Sequence, residues 1–148
     1  MSAEHLRRLS EEECRALLAT SEIGRVGVSV KALPAIFPVR FTVLDDHVVF
    51  RTARETLLAK VVSNAIVAFE ADAIDSQQGR GWSVLVVGRA ELLHDHATLD
   101  HVGSLSLPPW TSSSDDSVVR ISTDRISGRA FAPPDFTADP TVYLTADE

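Results

Sequence analysis

At 148 residues the chain is long enough for one domain with a substantial core and too short for two comfortable ones. Hydrophobic residues make up 45% and charged residues 24%, and the net charge of −7 argues against a broad nucleic-acid footprint, so any anion site has to be local. Cys14 is the single cysteine, which excludes an intrachain disulfide framework and a multi-cysteine zinc site.

The opening MSAEHLRRLSEEE lacks the apolar centre of a signal peptide, and no run approaches a membrane span, so a cytoplasmic protein is expected. Residues 1–9 carry no element signal and are expected to be loosely ordered. Ser10 and Glu13 have capping-box spacing and predict a helix over 11–20, with Leu17 and Leu18 facing the core. Cys14 lies on this helix, where it packs rather than reacts, and Glu11–Glu13 complement the helix dipole. GRVGVSV (24–30), PAIFPVRFTVL (34–44) and HVVFRT (47–52) then read as three consecutive strands. Lys31-Ala32-Leu33 and Asp45-Asp46 join them, the second as a tight hairpin turn. Pro38 inside an apolar strand suggests an edge or a bulge, and Arg40 beside it wants an anion or carboxylate partner.

Thr52 and Glu55 repeat the capping-box spacing and predict a helix to about Asn64, with Leu57, Leu58, Val61 and Val62 as its buried stripe. AIVAFEAD (65–72) is a strand, 73–81 a polar loop, and WSVLVVGRAELL (82–93) a long strand. Trp82 opens that strand as a core residue, and Gly88 interrupts it, allowing a bulge or a close backbone approach. DHATLDHVGSL predicts a short helix capped by Asp95. His94 and His96 would share a face in a strand, but neither His101 nor another residue supplies a third ligand at a recognisable spacing, so no metal is expected. Residues 108–117 form a flexible Pro/Ser/Asp loop, VVRISTDRISGRAF returns to strand character, and the polar tail over 133–148 is expected to be loosely held. About six strands with two or three short helices, three of the strands in immediate succession, favour an antiparallel sheet closed into a barrel over a parallel doubly wound fold.

One stretch carries a chemical signal. In VVFRTARETLLAK the apolar run stops on Arg51-Thr52 where the helix is expected to begin. The first helical turn offers unpaired N–H groups and the positive end of the dipole; with a guanidinium and a hydroxyl added, it suits a phosphate. The plainer reading makes Thr52 a helix cap and Arg51 a solvated side chain. No hydrolase elbow, Walker loop, dinucleotide-binding glycine pattern or zincin motif is present.

In order and spacing, GRVGVSV, PAIFPVRF, VVFRTARETLLAK, AIVAFEAD, GWSVLVVGRAELL and the late ISGRAF resemble the pyridoxamine phosphate oxidase-like, FMN-binding split-barrel proteins. The resemblance lies with the subgroup of flavin- and deazaflavin-dependent oxidoreductases rather than with the oxidase itself. It implies one mainly β domain over 1–148, a six-stranded antiparallel split barrel with short helices, forming a homodimer with two flavins at the interface. It implies that Val39, Arg40 and Phe41 line the isoalloxazine ring, that Trp82 and Ser83 border it, and that Arg129 approaches from the partner chain. Arg51 and Thr52, with Thr56 and Lys60 on the helix that follows, would serve the FMN phosphate.

The chain departs from the family where relatives read Arg-Thr, two residues, Gly, a small polar residue and Lys-Leu. Here Glu55 replaces the glycine and Leu57 the phosphate lysine. A carboxylate in that turn repels a phosphate dianion, and Arg54 or Lys60 would have to compensate. The function implied is hydride transfer through FMN to or from a small substrate, without nucleic acid or membrane as partner. Pyridoxamine phosphate oxidation itself is not expected, because no second phosphate-binding cluster shows near the C-terminus. The alternatives are a deazaflavin-dependent reductase and, in another class, a non-catalytic flavin- or haem-binding or cofactor-less dimeric module. Colour and absorbance discriminate among them.

Overall fold

Two pairs of left-handed residues fold the first half of the chain back on itself. Lys31 and Ala32 have φ of 51° and 66°, and Asp45 and Asp46 have φ of 50° and 61°. Positive φ at both central positions is the two-residue hairpin geometry whose twist matches that of the flanking strands. Aspartate tolerates this conformation and announced its turn. Lys31-Ala32 has no such chemistry, and the strand that follows starts at Leu33 rather than after it.

The computed structural model describes residues 6–53, 64–93 and 116–131. The elements are β1 (Leu6–Leu9), α1 (Glu11–Leu18), β2 (Ile23–Val30), β3 (Leu33–Leu44), β4 (His47–Ala53), β5 (Ile66–Asp75), β6 (Arg80–Leu93), β7 (Asp116–Ser122) and β8 (Arg125–Phe131). Residues 6–9, which showed no element signal, are a strand because they pair with β8. The expected polar loop over 73–81 shortens to a turn over 76–79. Asp75 Oδ1 accepts the N–H groups of Gln77 and Gln78 there, and Gly79 takes φ of 67°. The last strand stretch divides in two at residues 123–124. The predicted second helix, the short helix over 95–105, most of the 108–117 loop and the tail lie outside the described residues.

All pairings are antiparallel, and β6, β5, β2, β3, β4 and β7 close on themselves because β7 pairs with both β4 and β6. The molecule is thus a six-stranded antiparallel barrel with β8 and β1 added beside it. The split occurs on β6. One edge of this strand follows β5, while the other pairs with β8 over residues 81–87 and with β7 over 90–93. Gly88 sits at the division, where a Cβ would run into the Ser122 carbonyl at the end of β7. The close approach expected at this glycine is therefore present.

Phe50, Phe69, Trp82, Val26, Val84, Val86 and Ile121 fill the interior, and the Phe41 and Phe69 rings meet edge to face with centroids 4.7 Å apart. Helix α1 packs on β8 and β6 and buries Cys14, Leu17 and Leu18. Its capping box is formed: Ser10 Oγ accepts the Glu13 N–H, and the Glu13 carboxylate accepts the Ser10 N–H. The same carboxylate takes a 2.7 Å hydrogen bond from Arg7 on β1, which holds the Glu13 pKa down at about 2. Burial raises the Cys14 thiol above its ordinary value, and a Cβ at Gly128 would come within 2.7 Å of its sulfur, so Cys14 serves packing.

Candidate functional site

Side chains alternate across a strand, so each barrel strand presents one set inward and one outward. On β3, Val39 and Phe41 are buried in the core and Arg40 between them is half-buried on the outer face. On β6, Trp82 is inside at 2% exposure and Ser83 is outside. Arg129 is exposed on β8. Arg51 and Thr52, both half-buried, are adjacent on β4, with Arg51 on the outer parity and Thr52 on that of Phe50.

Register gathers the outward set. Arg8 of β1 is opposite Arg129, Arg129 is opposite Ser83, and Ser83 is opposite Asp72 on β5. The β2–β5 ladder ends at the Arg25–Glu70 pair, and Ile23 and Asp72 continue beyond it from the two strands. Ile23 is opposite Arg40. Arg40 and Arg51 in turn flank the Phe41–Phe50 pair on β3 and β4, and Arg51 is opposite Val118. Arg129, Ser83, Arg40 and Arg51, which lie far apart in sequence, thus fall along one outer row of the sheet. Val39, Phe41 and Trp82 belong to the layer beneath it. Thr56, Lys60, Arg54, Glu55 and Leu57 lie outside the described residues, as do the three histidines of 94–101.

Sequence reasoning missed three members of this neighbourhood. Arg8 gave no signal because its strand has four residues. Glu70 and Asp72 did carry one: FEAD alternates Phe69 and Ala71 inward with Glu70 and Asp72 outward. Arg25 on β2 reaches Glu70 at 3.2 Å and Asp72 at 3.5 Å through a single guanidinium nitrogen. Burial, followed by the neighbouring Asp72, raises the Glu70 carboxyl to about 7 against the opposing pull of Arg25. A charge shared between two carboxylates neutralises neither fully.

The outer face is also unusually apolar. Ile23, Ile36, Ile66, Ile74 and Leu85 are between 43% and 71% exposed on β2, β3, β5 and β6. Gly27 and Ala68 face each other among them and leave the middle of the sheet flat. Among the described residues no group of three metal-ligating side chains comes together. No described helix is long and apolar enough to cross a membrane.

The profile of the pyridoxamine 5'-phosphate oxidase family matches residues 10–130. The uncharacterized protein Rv0080 of Mycobacterium tuberculosis is 35% identical over 132 residues, covering 86% of each chain. The solved FAD binding protein of Mycobacterium smegmatis is 38% identical, covers 86% of this chain and 99% of its own, and superposes with a TM-score of 0.77. A protein of unknown function from Corynebacterium diphtheriae, 32% identical over 86% of this chain and 99% of its own, superposes at 0.73.

Proposed function

The chain belongs to the pyridoxamine 5'-phosphate oxidase family, and from that premise we propose that it is a flavin-dependent oxidoreductase whose cofactor lies along the outer row of the barrel. The observation that carries this reading is the register, which brings Arg40, Arg51, Ser83 and Arg129 into that row from four separate strands. Among the described residues Phe41, Phe50, Phe69 and Trp82 fill the barrel interior, which favours binding on the outer face.

The residues present suit a flavin nucleotide. Arg51 offers charge-assisted hydrogen bonds to the phosphate next to the ribityl chain, the phosphate that FMN and FAD share. Arg40 supplies a cation over the ring region, and Ser83 a hydroxyl and backbone groups at the ring edge. Thr52 serves the same phosphate where β4 ends. A bound flavin supplies hydride acceptance and return, and the protein supplies position and electrostatics. The relative that binds FAD supports a flavin as the class of cofactor.

The exposed isoleucines and the flat Gly27–Ala68 centre fit a second copy of the chain, which would wall the cofactor cleft and bring Arg129 to the partner's site. Such an interface needs to bury more than about 1,000 Å² in total.

The purified protein's absorbance spectrum, followed by titration with FMN, FAD and the deazaflavin coenzyme, tests the cofactor. A flavin spectrum, or saturable uptake of FMN or FAD, is expected. A colourless protein that takes up neither overturns the reading. Light scattering at micromolar concentration is expected to give a dimer, and a monomer would remove the shared site.

A further inference from the structure

From the β1–β8 edge we infer a second anion site, formed by Arg8, Arg129 and Ser83, that takes a phosphoryl group distinct from the one proposed for Arg51. Arg8 and Arg129 are direct cross-strand partners, and Ser83 is the partner of Arg129 on its other side. Both arginines are exposed on the same face, and among the described residues neither has an acidic partner. Like charges directly opposite one another destabilise an antiparallel pair. A short edge strand that places two guanidiniums side by side therefore carries a local cost that an anion would relieve.

The surroundings sharpen this. Over the stretch where β6 pairs with β8, the outward positions of β8 are Arg125, Ser127, Arg129 and Phe131, those of β1 are Leu6 and Arg8, and those of β6 are Gly81, Ser83, Leu85 and Val87. None of these is acidic, in a chain whose net charge is −7. The nearest carboxylate in the row is Asp72, one strand beyond Ser83 and held by Arg25. Neighbouring strands lie about 4.8 Å apart, so the two guanidiniums and the Ser83 hydroxyl span a phosphate or diphosphate. Planar guanidiniums grip such groups two oxygens at a time. The pairing also explains why the sequence showed no second phosphate cluster near Arg129: its other half is near the N-terminus.

Two sources supply this chemistry, the outer phosphate of a flavin dinucleotide and the phosphate of a free ligand. Calorimetric titration of the full chain with inorganic pyrophosphate, FAD and FMN, and of the flavin-loaded protein with pyridoxal 5'-phosphate, tests both. Parent, Arg8→Gln, Arg129→Gln and the control Arg125→Gln are compared. Pyrophosphate affinity is expected to fall about tenfold or more in the first two variants and to hold in the control. The ligand-free melting temperature is expected to hold or rise, since a repulsion is removed. If the group is the dinucleotide's, Arg8→Gln weakens FAD and leaves FMN; if it belongs to a free ligand, Arg8→Gln weakens pyridoxal 5'-phosphate and both flavins hold. Affinities within twofold for every probe overturn the site, as does a loss of melting temperature or of the dimer, which would make the arginines structural. Arginine-dependent pyrophosphate binding by a protein that takes no flavin would sustain this site and sink the flavin reading.

Discussion

The two faces of β6 differ sharply in what they present. Trp82, Val84, Val86 and Ala90 turn inward and are 2% exposed or less, whereas Ser83, Leu85, Val87 and Arg89 turn outward. β3 repeats the contrast, with Val39 and Phe41 inside and Ile36 and Arg40 outside. The inner face is explained completely by packing. The outer one is not: it exposes isoleucines, lines up arginines from separate strands and holds two carboxylates on one guanidinium. Residues that a fold does not need are where its function is to be sought.

The comparison breaks most severely at Gly88. A methyl group there meets the Ser122 carbonyl, where β6 passes from β8 to β7. Backbone cannot yield as a side-chain tip does, so Gly88→Ala is expected to cost about 3 kcal/mol or more, or to prevent folding. Urea denaturation followed by circular dichroism measures it. Trp82→Ala comes next in size, with an expected loss of about 3–5 kcal/mol from the cavity left behind. It also sharpens the division of faces, because the resemblance placed Trp82 beside the flavin. A purely interior residue leaves flavin affinity of the folded protein within about threefold, and a larger drop would show that the ring reaches it.

Arg51→Ala reverses that pattern. With Arg51 on the flavin phosphate as proposed, losing one charge-assisted hydrogen bond is expected to weaken flavin binding about ten- to a hundredfold. The ligand-free protein is expected to lose far less stability than with Trp82→Ala. Fluorescence titration with FMN and a thermal melt give both quantities, and unchanged affinity would move the phosphate away from β4.

How much of this was legible in the sequence depended on the range of the interaction that fixes each feature. Period-two patterns and the Asp45-Asp46 turn are local, and they gave the strands from Gly24 to Thr52 and from Ala65 to Leu93 within a few residues. Strand β1 and the two-residue length of the Lys31-Ala32 turn are fixed by partners rather than propensity: the strand was not visible, and the joint was read one residue too long. The barrel closure could be argued from strand succession, but the split at Gly88 depends on β7 and β8 sharing one edge of β6. The site divided the same way. Arg40, Arg51, Ser83 and Arg129 could be named as candidates because they interrupt apolar patterns or match family motifs. Their alignment in one row, and the membership of Arg8 and Asp72, follow only from register.

The smallest expected effect concerns the outer face's own electrostatics. Glu70 titrates near 7 in the folded protein and near its ordinary 4.5 when unfolded. Between those values the folded state binds more protons, so its stability falls as pH rises. Glu13, held down at about 2 by Arg7, works in the opposite sense: its contribution is present above about 4.5 and is lost as pH falls toward 2. The two windows do not overlap, so each can be followed separately. Glu70→Gln keeps the side chain's shape and removes its proton equilibrium. The decline in stability between pH 4.5 and 7 is therefore expected to flatten in the variant, by on the order of 1 kcal/mol across the window because the side chain is partly solvated. Arg25→Gln is expected to steepen it, since Glu70 and Asp72 would then face each other without the cation that joins them. Melting temperatures of the three proteins at several pH values read both slopes. A parent slope that survives Glu70→Gln would assign the proton to another group, and the outer face would then be set by its apolar residues and its arginines, with the carboxylates as bystanders.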